Sequence, residues 1–269
     1  FANDYSDGIR GTDAHRAAAA VANRVEYVTR VTGPGDVERE ETLDYEELHA
    51  PTRLVASGVP TRAVLTAAAV NAALACACGL AAVVITGYWW LLAVGALCLL
   101  AGWFYVGGAH PYGYRGWGEI AAFVFFGPVA TLGTTVTMAG AVDWIAVCAS
   151  VAVGLVALAV LSVNNLRDIR TDAQAGKRTW AVRLGARATT VCIIVAIALV
   201  MLAALAAGVF VGVHGGDLPH LTVGWGFCAV LGMVCVLLTG YFTCFEVARG
   251  EYMRAMWSLS LLALWLALA

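Results

Sequence analysis

The chain has 269 residues, 61% of them hydrophobic and 13% charged, with a formal net charge of −2. A mean hydropathy of +0.80 excludes an ordinary soluble domain, in which about one residue in four is charged. The near-neutral balance gives nucleic acid no footing either. The composition predicts an all-α, polytopic transmembrane helix bundle. In chain order, NDYSDGIRGTD (Asn3–Asp13) reads as the foot of a helix whose earlier part lies upstream, so the chain is expected to be a fragment lacking at least one helix. Residues 14–50 change character. AHRAAAAVANRVEYVTRV places Val21, Val25 and Val28 at the spacing of a short amphipathic helix on the membrane surface. The turn TGPGD and the acidic, solvated EREETLDYEELH follow.

Seven apolar runs come next, near 63–86, 88–106, 118–139, 144–163, 188–213, 221–245 and 253–269. Each approaches the ~20 residues that carry a helix across a ~30 Å hydrocarbon core. All eight cysteines lie inside these runs, where apolar packing accounts for them. Every Lys and Arg falls on one side: between Arg10 and Arg62, at Arg115, from Arg167 to Arg187, and at Arg249 and Arg254. The alternate loops, near 86–88, 140–143 and 212–220, have none. Basic loops stay in the cytoplasm, so residue 1 is expected inside and the C-terminus outside, with a multi-pass chain in the cell membrane.

The chemistry gathers on the basic side. NNLRDIRTDAQAGKRTWAVRLG spaces Asn164, Asp168 and Asp172 four apart, which on a helix makes one stripe of oxygens rising ~6 Å per step. Asn3 and Asp7 repeat that spacing. Paired carboxylates repel, and an oxygen-only donor set favours Mg²⁺, which commonly shares its coordination with a substrate phosphate. Lys177, Arg178 and Arg53 stand near the two motifs as counter-charges for such an anion. A cation channel or transporter is the rival reading, since ionisable residues in a membrane often mark an ion path. The acidic motifs sit at one face only, and a conduction path needs polar residues through the midplane. Gly127 and Pro128, midway along a run, are placed to bend a helix, around a cavity or merely in packing.

The two motifs together resemble those of the UbiA superfamily of intramembrane prenyltransferases. PTRLVASG, WFYVGG, PYGYRGWGE and FVFFG match that family in order, and GKRTWAVRLG favours its branch acting on 1,4-dihydroxy-2-naphthoate in menaquinone biosynthesis. The resemblance implies a bundle of nine transmembrane helices, of which residues 1–269 would hold seven as a single prenyltransferase domain. It implies Mg²⁺ held by Asn3, Asp7, Asp168 and Asp172, with Asp13 and Asn164 as further candidates. Lys177, Arg178, Arg53 and Tyr105 would hold the diphosphate of a polyprenyl diphosphate, with Asp7, Asp168, Asp172 and Lys177 central to catalysis and the site facing the cytoplasm. The implied reaction moves the prenyl group to the naphthoate with loss of diphosphate and CO₂. Members acting on 4-hydroxybenzoate or a glycerol phosphate would share the metal site. The chain departs from the family in about 30 extra residues before RLVASG, and in Ala109 and His110 where a basic residue commonly precedes PYGY.

Overall fold

The computed structural model describes Tyr5, Leu54, Val55, residues 58–214 and residues 223–268. Among the described residues every regular element is a helix. In chain order these are α1 (Thr61–Thr86), α2 (Leu91–Val106), α3 (Gly118–Ala139), α4 (Trp144–Arg167), α5 (Ile169–Gln174), α6 (Trp180–Leu184), α7 (Ala186–His214), α8 (Val223–Arg249) and α9 (Tyr252–Leu268). The seven longer ones coincide with the seven apolar runs. Five stretches are long and apolar enough to cross a bilayer: α1, α3, α4, Ala186–Ala206 of α7 and Gly232–Arg249 of α8. Helices α2 and α9 have 16 and 17 residues, about 24–26 Å at 1.5 Å per residue, less than the ~30 Å core. The expected seven full spans are thus all helical, with two of them short. Helix α2 loses length to the turn at Tyr88–Trp90 and stops at Gly107, where the backbone turns extended at φ −93° and ψ 173°.

The described chain packs as two compact units. The first runs to Trp117 and includes Asp168–Thr179. Within it α1 buries only Val64 and Val83, while Leu74, Leu80, Val84 and Ile85 are exposed, as suits side chains surrounded by lipid tails. After α2 the chain makes a single 3₁₀ turn, Tyr112–Arg115. Its Tyr112 hydroxyl donates to the carbonyl of Ala101 at 2.9 Å, and its ring meets Tyr105 edge-on at 5.5 Å between centroids.

The second unit comprises Gly118–Arg167 and residues from Trp180 onward. Its core is built from one-turn repeats: Ala159, Val163 and Leu166 on α4, Ile193, Ile197 and Val200 on α7, Val236 on α8, Leu259 and Leu262 on α9, all buried. Small residues let α3 and α4 approach closely. A Cβ at Gly127 would lie 2.6 Å from the Ser150 carbonyl, and one at Gly154 would lie 2.8 Å from that of Phe123. Such small-residue contacts are how apolar helices associate where lipid offers no hydrophobic drive. From Phe125 to Leu132 helix α3 widens into a π-helix with Pro128 inside it. Gly127 therefore serves close helix packing, and Pro128 sits in the wide turn. Helices α8 and α9 are joined by the Ser258 hydroxyl, which donates to Glu246 at 2.6 Å.

Candidate active site

Asp168 interrupts the helical path. Helix α4 ends at Arg167, Asp168 takes φ −94° and ψ 11°, and α5 starts at Ile169. The expected stripe of Asn164, Asp168 and Asp172 is thus broken by one residue in the bridge region, where active-site residues often sit. The Asp172 amide still donates to the Asp168 carbonyl at 2.8 Å, so the two acidic residues keep their helical spacing. Asn164 and Asp168 are half-buried. Asp172 is buried at 3% exposure.

Helix α5 ends in AGKR, and the glycine matters. Gly176 has φ +73°, a left-handed conformation that costs other residues ~1–2 kcal/mol. With it the chain reverses, and the Lys177 amide donates to the Asp172 carbonyl at 2.9 Å. The reversal returns the Lys177 side chain toward Asp172, Nζ standing 3.7 Å from Oδ1. Lys177 is 9% exposed, so this is a buried ion pair, too long for a strong hydrogen bond. Two such charges attract by about 4 kcal/mol at an effective dielectric of about 20. Lys177 Nζ also stands over the Tyr114 ring, 4.7 Å from its centroid, a cation–π contact. The Tyr114 carbonyl accepts the Arg178 amide at 2.8 Å, leaving the Arg178 side chain exposed.

The 3₁₀ turn and the KR pair thus form one small platform of Tyr114, Asp172, Lys177 and Arg178. Tyr105 supports it from behind: a Cβ at Gly113 would lie 2.7 Å from the Tyr105 carbonyl. Burial pushes the Tyr112 phenol above its ordinary pKa. Tyr114 is a residue that sequence reasoning missed. PYGYRGWGE stands out as a motif, but nothing in it tells which tyrosine will meet a lysine 63 positions later.

Glu119 was missed as well. It is 1% exposed, and its Oε1 accepts both the Asn165 side-chain amide at 2.8 Å and the Trp180 backbone N–H at 3.0 Å. Its Oε2 is buried with no hydrogen-bond partner. An unmet buried acceptor costs about 1–3 kcal/mol, so a carboxylate is an expensive way to fill this position. Asn3, Asp7, Asp13 and Arg53, together with residues 14–50, lie outside the described residues. Among the described residues no group of three or more His, Cys, Asp or Glu side chains gathers as a metal cluster. Asp168 and Asp172 supply oxygen donors four residues apart, a set whose chemistry suits a hard cation such as Mg²⁺.

The model of the UbiA prenyltransferase family matches residues 42–240, well over half of the chain. The chain belongs to the UbiA prenyltransferase family. The UbiA match takes in Arg53, Tyr105, Asn164, Asp168, Asp172, Lys177 and Arg178, while Asn3, Asp7 and Asp13 precede it. Over 186 residues the chain is 46% identical to the 1,4-dihydroxy-2-naphthoate octaprenyltransferase of Mycobacterium tuberculosis, covering 69% of the chain and 52% of that relative. The protein of the same name from Mycobacterium leprae is 44% identical over the same coverage. The one from Escherichia coli is 32% identical over 191 residues, 69% of the chain and 52% of the relative. The chain spans about half the length of these curated UbiA relatives. No solved structure matches it. The resemblance drawn from the motifs is borne out at the level of the family, and so is the all-helical membrane fold.

Proposed function

We propose that the protein transfers a polyprenyl group from polyprenyl diphosphate to 1,4-dihydroxy-2-naphthoate, with residues 1–269 acting as one transmembrane domain and the site facing the cytoplasm. The observation that carries this reading is the buried Lys177–Asp172 pair, 3.7 Å apart, beside the exposed Arg178 in a chain of this family. It sets a cation beside oxygen donors, a combination that suits a diphosphate bound together with a hard cation.

Asp168 and Asp172, with Asn3 and Asp7 from the first motif and Asn164 and Asp13 beside them, would hold Mg²⁺. The metal, when bound, neutralises diphosphate charge and so favours its departure. Lys177 then turns from Asp172 to the diphosphate. Arg178 and Arg53 add charge on its oxygens, with Tyr105 beside them. As the allylic C–O bond breaks, its electron pair leaves with the diphosphate, where these cationic side chains stabilise it. The electron-rich naphthoate ring bonds to the prenyl carbon. Loss of CO₂, and of a proton from the acid, returns the electron pair to the ring and restores aromaticity. A bilayer setting suits the tail, since each buried CH₂ contributes ~0.8 kcal/mol.

The test is incorporation of labelled polyprenyl diphosphate by membranes carrying the full-length protein, with the naphthoate, 4-hydroxybenzoate and a glycerol phosphate offered separately. Label is expected in the naphthoate product, with release of CO₂. Transfer to another acceptor alone would move the assignment elsewhere in the family.

A further inference from the structure

Glu119 holds two points of the chain on one oxygen. Asn165 lies in the last turn of α4 and Trp180 opens α6, and both donate to Oε1 at 2.8 and 3.0 Å. Between those two residues runs the whole segment that carries Asp168, Asp172, Lys177 and Arg178. Its two ends are therefore closed on a single buried atom. A loop whose ends are fixed has far fewer conformations than one anchored at one end.

Helix capping alone does not account for the arrangement. A cap for the five-residue α6 needs only the bond from the Trp180 amide. The second bond comes from a side chain on another helix, and it is the one that closes the segment. Nor does packing account for it, since Oε2 is buried with no partner and an apolar side chain would leave no such orphan. The carboxylate stands here in spite of that oxygen, which points to the work done by the other.

We propose that Glu119 is a positioning residue: by joining Asn165 to Trp180 it sets the separation of the ends of segment 166–179, and through it the placement of the diphosphate-binding side chains. The role in turnover rests on the prenyl-transfer reading above. The clamp itself does not.

Two measurements on the full-length protein in detergent test it. The first is amide hydrogen exchange without substrate, for wild type, Glu119→Ala, Glu119→Gln and Asn165→Ala. Glu119→Ala is expected to speed exchange of the segment ending at Trp180 by about tenfold or more, as loss of a hydrogen bond to a charged group implies, with α7 and α9 unchanged. Glu119→Gln keeps an acceptor oxygen and is expected to restore protection. Asn165→Ala removes one bond and should fall between, and it carries the test if Glu119→Ala fails to fold.

The second measurement is steady-state kinetics. Glu119→Ala should raise KM for polyprenyl diphosphate by about tenfold and leave KM for the naphthoate within about twofold. Glu119→Gln should restore most of the loss. Unchanged exchange of the segment in Glu119→Ala or Asn165→Ala overturns the clamp. Faster exchange with unaltered kinetics overturns its role in positioning, as would Glu119→Gln being as impaired as Glu119→Ala. Absence of prenyl transfer by the wild type would defeat the functional reading alone, because the exchange measurement still decides whether Glu119 closes the segment.

Discussion

Lys177 and Asp172 face each other across 3.7 Å with side chains only 11% and 5% exposed, joined also through the backbone by the amide of one and the carbonyl of the other. Removing one partner of a buried pair strands the other charge, which costs about 3–5 kcal/mol. Asp172→Asn should therefore lower the thermal stability of the protein in detergent as well as abolish prenyl transfer. The double variant Asp172→Asn/Lys177→Met removes both charges, and it should recover most of the stability while remaining inactive. Recovery of both would reduce the pair to a structural one.

Metal dependence is the next expectation. Chelation should stop turnover by the complete protein and Mg²⁺ should restore it, with Asp168→Asn shifting the Mg²⁺ requirement upward by about tenfold or more, as loss of one charged ligand implies. Turnover that persists through exhaustive chelation would remove the metal from the reading.

Gly176 turns the chain back with φ +73° and no atom within 4 Å of where a Cβ would stand. The penalty for Gly176→Ala is thus conformational, ~1–2 kcal/mol. Part of it should emerge as a displaced Lys177, raising KM for the prenyl diphosphate. A stability loss with KM unchanged would separate the turn from binding.

Gly154 is the opposite case, because its φ is ordinary and its surroundings are full. A Cβ there would meet the Phe123 ring at 2.8 Å and its carbonyl at the same distance. Gly154→Ala should cost about 1–3 kcal/mol by overpacking, read as a lower melting temperature without a change in KM for either substrate.

Orientation is checked by labelling. In a cysteine-free background, a cysteine replacing Val142, exposed in the loop before α4, should react with an impermeant reagent added to intact cells. One replacing Ala175 should react only after the membrane is opened. The reverse pattern would invert the assignment made from Lys and Arg.

The sequence carried the long helices well because a stretch of about twenty apolar residues has few other uses. The family was legible too, since polar motifs stand out against such a background. Asp168 shows where legibility ends. Four-residue spacing predicts one stripe, and nothing in NNLRDIRTD announces a break at the residue after Arg167. Tyr114 meets Lys177 and Arg178, and Glu119 meets Trp180, some 60 positions away. Glu119 also meets Asn165 at a separation of 46, and no local pattern in the sequence announces such contacts. Lys177 was found for its charge. That it would be stored against Asp172 depends on a backbone reversal which the letters AGKR only permit.

Pro128 has no N–H to give, and in a regular α-helix the Val124 carbonyl would lose its donor within a membrane-spanning segment. The wide bonding pattern of Phe125–Leu132 offers that carbonyl the next residue along instead. A π-turn accommodates surplus backbone within a helix, so α3 has slack in its length that its neighbours lack. Deleting Pro128 itself should be absorbed by tightening the turn to a regular helix, since the next N–H then falls in register with the Val124 carbonyl. A deletion in mid-α4 instead swings every later side chain of that helix by ~100°, Asn164 and Asn165 among them.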